Sequence, residues 1–210
     1  NPRQFDADDV QILRDLAGLA ERELRSTALD AAPELAGRFQ QERRRVLLDP
    51  VTRLWNREGI LEMLEAQIGP ALVTDMFVVV LIGVAPPGQT EAASDELMRR
   101  VASHCLGAIR ASDSIGRFGP AEFMIVTGPI SGARQAKRIA ERLRLRIPGL
   151  AGPADAPILT IGLVVAEAGQ AVTPAALADA AQRALTEARA AGGDCVRSAG
   201  DAPEERESAA

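Results

Sequence analysis

His104 is the only histidine in this 210-residue chain, and its two cysteines, Cys105 and Cys195, stand far apart. Metal centres and nucleophilic triads need several such side chains at fixed spacings, and no CxxC or histidine cluster supplies them here. A histidine-rich metal site and catalysis by paired histidines are excluded. His104 reads as a packed or partly exposed helix residue, and the thiols as small apolar groups. The arginines carry more chemistry. Arg110-x-x-Asp113 sets a guanidinium fork, which grips phosphate bidentately and stacks on flat rings, three residues before a carboxylate that accepts N–H bonds. The same residues also fit a blander role, with Arg110 steadying a helix C-terminus. A net charge of −5 argues against a broad nucleic-acid surface but leaves room for a local basic pocket.

The elements that must position these residues fall into two regions. Over residues 1–46, Val10, Leu13, Leu16, Ala20 and Leu24 recur at helical steps, with Asp6 or Asp8 as the cap. Pro33 opens a second helix whose stripe runs through Leu35, Phe39 and Val46, interrupted by Glu42. Such a narrow seam needs a cover, either a second copy of the chain or an upstream domain. The run Arg43-Arg44-Arg45 reads as a solvated helix face. From Asp49 the texture changes to alternating helix and strand. A helix is predicted over Arg57–Ile68, stopped by Gly69-Pro70, then a buried strand over Met76–Val84. Ser94 caps a helix reaching about Ile109. Asp113–Phe118 and Glu122–Val126 pair as a hairpin across Gly119-Pro120-Ala121. A basic amphipathic helix follows over Ser131–Ile147, then a strand over Ile158–Ala166. The last helix opens at Thr173-Pro174 and stops at Gly192-Gly193, and a disordered tail is expected over 199–210. A hairpin inside an α/β alternation predicts an α+β fold with a mixed sheet. At 47% hydrophobic and 25% charged the chain is an ordinary globular one. No run approaches the about 18 apolar residues that would span a membrane. The opening Asn1-Pro2-Arg3-Gln4 is neither a signal peptide nor an initiator methionine, as expected of a fragment of a longer protein.

Three segments resemble the GGDEF family, the diguanylate cyclase domains. Asp49-Pro-Val-Thr-Arg-Leu-Trp-Asn-Arg57 is similar to the family's opening D-x-L-T-x-L-x-N-R. Arg110 to Phe123 resembles R-x-x-D, five residues, then GGDEF. Leu159-Thr-Ile-Gly162, with Ala184-Leu185 and Glu187-Ala188-Arg189, resembles the closing S-I-G and A-L-Y-x-A-K. Together they cover roughly residues 47–198 in the right order. The resemblance implies a nucleotidyl-cyclase-like fold with a ferredoxin-like βαββαβ core, preceded by a helical stalk. The first residues also resemble the last helix of a GAF domain, through Arg3-Gln-Phe-Asp6, Leu13 and Leu16-Ala17.

Active members join two GTP molecules into cyclic di-GMP, chemistry that needs Mg²⁺ held by carboxylates. The family supplies one at the end of the first central strand and one at the third position of the hairpin. Here those segments read Ile82-Gly83-Val84 and Gly119-Pro120-Ala121-Glu122-Phe123, so both carboxylates are missing and no cofactor or metal is expected. Pro120 replaces a glycine, and the loop from Ala85 to Ser94 lacks the family's guanine-contacting asparagine. Arg189 stands at a triphosphate lysine, and Gly193 where a second basic residue is usual. Asp95 and Glu122 match family positions and are expected to survive only as remnants of a catalytic site.

The inhibitory product site fares better. The resemblance places Arg110, Asp113 and, in Ala140-Glu141-Arg142, Arg142 around cyclic di-GMP, with Arg117, Arg138 and Arg144 adding positive potential. The leading expectation is a catalytically dead, cytoplasmic domain that binds cyclic di-GMP as a regulatory module. It would pair with a second copy through the N-terminal helices, regulate a protein partner the sequence does not identify, and contact no nucleic acid or membrane. The rivals are a nucleotide-free dimerisation or interaction module, a residual cyclase, and a GTP binder without turnover.

Overall fold

The computed structural model describes residues 46–71, 75–86, 93–147 and 156–200, with Gln11, Arg14, Leu16 and Ala17. The chain divides into two units, Asn1–Val46 and Leu47–Ala210. In the first, the four described residues before Val46 are helical and exposed. The stalk seam, the GAF-like segment and the basic run otherwise lie outside the described residues.

The second unit reads α1 (Arg57–Ala71), β1 (Phe77–Ala85), α2 (Asp95–Ala108), β2 (Ser114–Gly119), β3 (Glu122–Val126), α3 (Ala133–Arg146), β4 (Ile158–Ala166), α4 (Pro174–Ala190) and β5 (Val196–Ser198). Its sheet has the order β2-β3-β1-β4-β5. β1 lies antiparallel to both β3 and β4, and β5 adds a short parallel edge to β4. This is the mixed βαββαβ sheet expected, extended by one strand.

β1 is central because its side chains bury both ways. Val78, Val80 and Ile82 join one apolar cluster with Leu97, Met98, Val101 and Cys105 of α2 and Ala136, Ala140 and Leu143 of α3. Phe77, Val79 and Leu81 join another with Ile60 and Leu64 of α1 and Leu177, Ala181 and Leu185 of α4. The period-two alternation of a strand thus divides the helices, α2 and α3 on one face and α1 and α4 on the other. Caps fix where helices begin: Ser94 Oγ accepts from Leu97 N–H (3.2 Å), and Thr173 Oγ1 from Ala176 N–H (3.2 Å).

Apart from element ends that shift by one or two residues, three features differ from the sequence expectation. α1 runs through Gly69-Pro70 to Ala71, since a proline in the last turn sacrifices only one ladder bond. β5 was not expected. Ala199, expected to begin the tail, donates its N–H to the Leu163 carbonyl (2.8 Å) and stays tied to the sheet; residues 201–210 lie outside the described part.

Candidate ligand site

α2 ends at Ala108 and the chain turns tightly into β2. The Asp113 N–H bonds the Arg110 carbonyl (3.0 Å), while the Arg110 N–H bonds Asp113 Oδ2 (2.8 Å). The other carboxylate oxygen accepts from Gly128 N–H (2.9 Å), just after β3, and weakly from Ser112 Oγ (3.4 Å). Asp113 is therefore the clasp of its own loop: it sets the backbone of Arg110 and ties it to the hairpin. The expected role of its carboxylate, reading a ligand edge, must use lone pairs left over from this work.

Arg142 arrives from α3, which packs on the same face as α2. Its Nη2 donates to the Ala108 carbonyl (3.3 Å), at the exposed end of α2. Arg110 and Arg142 consequently line one open cleft of about 650 Å³, together with Arg134 and Arg138. Residues 134, 138 and 142 follow one another at helical i, i+4 steps, so one face of α3 presents a ladder of guanidinium groups. Among the described residues, the one acid lining the cleft is Glu141, which pairs with Arg144 (2.9 Å). Asp113 does not line this cleft. It lines a neighbouring one of about 620 Å³, which also contains Arg110, so Arg110 forms the wall between the two.

Of the three arginines expected to add potential, Arg138 does so. Arg144 is engaged by Glu141 and by Asp194 (2.7 Å). Arg117 is spent on Asp49 (3.5 Å), on Asp95 (3.8 Å) and on the Pro120 carbonyl (2.9 Å). Arg134 was missed, although its spacing from Arg138 and Arg142 was readable. Asp49 is half-buried. Burial raises its carboxyl pKa, but the bonds from Thr52 N–H and Oγ1 (2.8 Å each) and the nearby Arg117 outweigh this and hold it below the ordinary value.

The catalytic remnants sit elsewhere. Glu122 pairs across the sheet with Gly83. Its Oε1 accepts from Arg189 Nη1 (2.8 Å) and more weakly from Gln182 (3.4 Å). The Arg189 guanidinium lies on Gly83 so closely that a Cβ there would meet Nη2 at 2.5 Å. Both residues border a small cavity of about 250 Å³ that, among the described residues, shares no lining residue with the arginine cleft. Asp95, at the exposed start of α2, has Arg117 as its ionic neighbour. Trp55 is half-buried and bridges Leu48 and Gly116, anchoring the opening segment. His104 is half-buried, Cys195 is partly buried, and Cys105 is buried, its thiol pushed up to about 12 by desolvation.

A mixed sheet with a hairpin beside the central strand and helices on both faces defines a nucleotidyl-cyclase-like α+β domain. The chain belongs to the GGDEF family: the family model "Diguanylate cyclase, GGDEF domain" matches residues 88–195. The response regulator PleD of Caulobacter vibrioides is 34% identical over 107 residues, a match covering 49% of this chain and 23% of PleD. The coiled coil and GGDEF domain of DgcB from Caulobacter crescentus, solved in complex with cyclic di-GMP, superposes with a TM-score of 0.67 at 20% identity, over 86% of this chain and 99% of that one. The GGDEF domain of TpbB (YfiN) from Pseudomonas aeruginosa gives a TM-score of 0.62 at 26% identity, over 72% and 94%. No helix among the described residues is long and apolar enough to cross a membrane.

Proposed function

We propose that this chain is a catalytically inactive GGDEF domain that binds cyclic di-GMP and acts as a cytoplasmic regulatory receptor module. The observation that carries the ligand is the convergence of Arg110 and Arg142 on one cleft of about 650 Å³, within the size range of small-molecule sites. A doubly anionic dinucleotide is matched by guanidinium forks that hold phosphate and stack on purine faces. Asp113 sets the loop and, from the adjoining cleft that shares Arg110, offers its remaining lone pairs to guanine N–H groups. The DgcB structure contains cyclic di-GMP, which favours the same ligand here.

Loss of catalysis is supported by the residues at the metal positions, which do not fit Mg²⁺. Gly83 and Ala121 offer no side-chain oxygen, and a guanidinium already lies against Gly83. Among the described residues, no three of His, Cys, Asp and Glu gather as a metal would require. Glu122 and Asp95 are remnants, each facing an arginine instead. A homodimer through the N-terminal helices, relaying state from an upstream GAF-like segment, completes the reading. Its support is the apolar Leu16 and Val46, 57% and 68% exposed.

Two assays test the function. Incubation with GTP and Mg²⁺ or Mn²⁺, followed by chromatography, should yield no cyclic di-GMP; steady production refutes inactivity. Calorimetric titration with cyclic di-GMP should give saturable binding that Arg110→Ala and Arg142→Ala each weaken roughly 10–100-fold, the worth of a charge-assisted contact. Unchanged affinity in both variants moves the site elsewhere. Light scattering with and without residues 1–46 tests the dimer; equal mass per chain in both removes it.

A further inference from the structure

Arg53 stands at φ +61°, in the left-handed region that favours glycine and strains a long side chain. The turn around it enforces this. Arg53 N–H bonds the Asp49 carbonyl (2.9 Å), Asp49 N–H bonds the Leu54 carbonyl (2.8 Å), and Thr52 grips the Asp49 carboxylate through N–H and hydroxyl (2.8 Å each). Among the described residues, the one other non-glycine with positive φ is Asp194. Aspartate tolerates that region, and Asp194 is ion-paired to Arg144. Arg53 has neither excuse: its side chain is exposed and has no ion pair or hydrogen bond among the described residues. The hydrogen bonds of the turn offset this strain, so a functional reason for an arginine here must come from where its side chain lies.

The position of the guanidinium supplies one. Arg53 lines the second cleft, of about 620 Å³, together with Arg110 and Asp113 and an apolar floor from Trp55, Leu106 and Ile109. Leu106 is 52% exposed, and Arg110 is the wall this cleft shares with the arginine ladder of α3. An apolar lining flanked by two cations and the Asp113 carboxylate suits a purine ring that carries a phosphate. It does not suit a purely aliphatic ligand.

We infer that Arg53 is a further ligand-binding residue, gripping cyclic di-GMP from the side of Arg110 opposite Arg142, with a purine over the Trp55–Leu106–Ile109 floor. The inference rests on the receptor reading above. On it, the ligand straddles Arg110, one phosphate facing Arg142 and the other facing Arg53. The turn that strains Arg53 is then a positioning device, since a relaxed backbone would aim the side chain elsewhere.

Arg53→Gly separates the structural role from the binding role, because glycine takes the same backbone conformation without strain. Its Tm should be unchanged or raised by up to about 4 °C, while its affinity for cyclic di-GMP falls about tenfold. Arg53→Lys, which keeps the charge but loses the fork, should fall between wild type and Arg53→Gly. Wild-type binding with an unchanged affinity in Arg53→Gly overturns the role of Arg53 and leaves the receptor reading standing. Absence of saturable binding in the folded wild-type chain overturns the receptor reading, and this inference with it.

Discussion

Replacing Asp113 by alanine should destabilise the domain before it says anything about ligand. The carboxylate accepts the Arg110 N–H at 2.8 Å and the Gly128 N–H at 2.9 Å, with Ser112 Oγ adding a long contact. The two losses are unequal. Arg110 is exposed, so its N–H recovers a water molecule and costs about 0.5 kcal/mol net. Gly128 is buried, and its N–H loses an ionised acceptor with little water to replace it, at about 1.5–2.5 kcal/mol. The sum is about 2–3 kcal/mol, or a Tm lowered by about 4–12 °C for a chain of this size. Asp113→Asn keeps one acceptor oxygen and should lose about half as much. Urea unfolding checks this: the midpoint should fall with an unchanged m-value. An Asp113→Ala midpoint equivalent to less than about 0.5 kcal/mol, within the range of an ordinary surface change, refutes the clasp. The result also governs how binding data are read. If the clasp is real, lost affinity in Asp113→Ala includes the displacement of Arg110, and cannot be assigned to a ligand contact alone.

Further expectations follow from the same geometry. Asp49, its folded pKa depressed, contributes stability that is complete above the unfolded value of about 3.9 and lost as pH falls through the folded one. The urea-midpoint difference between wild type and Asp49→Asn should therefore be larger at about pH 6 than at about pH 3; an equal difference at both contradicts it. At Gly162 a Cβ would meet Leu185 N at 2.2 Å and the Ala181 carbonyl at 2.4 Å, so Gly162→Ala must push α4 off β4. It should cost at least about 1–3 kcal/mol by the same unfolding assay, and a neutral variant refutes the close approach. With an aromatic disulfide reagent, the native chain should expose Cys195 long before the buried Cys105. A Cys195→Ser variant that still reacts quickly, without denaturant, refutes that order.

Much of the fold was legible because its strongest patterns are local. The unbroken apolar run of β1 announces a strand buried on both faces, and Ser94 and Thr173 announce helix starts through their side-chain acceptors. β5 was not legible: Val196–Ser198 is three residues long and owes its pairing to β4, more than thirty residues earlier. For the site, motif spacing singled out Arg110 and Arg142, but only the packing of α3 against the end of α2 brings them to one cleft. Charge bookkeeping along the chain could not separate the free arginines from the engaged ones. Arg144 and Arg117 meet acids from distant segments, Asp194 and Asp49, while Arg134 and Arg138 meet none among the described residues. The double duty of Asp113 depends on Gly128, which lies across the hairpin. The left-handed turn at Arg53 has no signature in residue type at all, since arginine is the wrong residue for it.

The most direct test of the central claim is a calorimetric titration of the folded wild-type chain with cyclic di-GMP in the presence of EDTA. The arginine cleft needs no metal, so the account predicts saturable heat that added Mg²⁺ leaves unchanged and that Arg110→Ala removes or greatly weakens. No saturable heat, or heat that appears only when Mg²⁺ is restored, would contradict it.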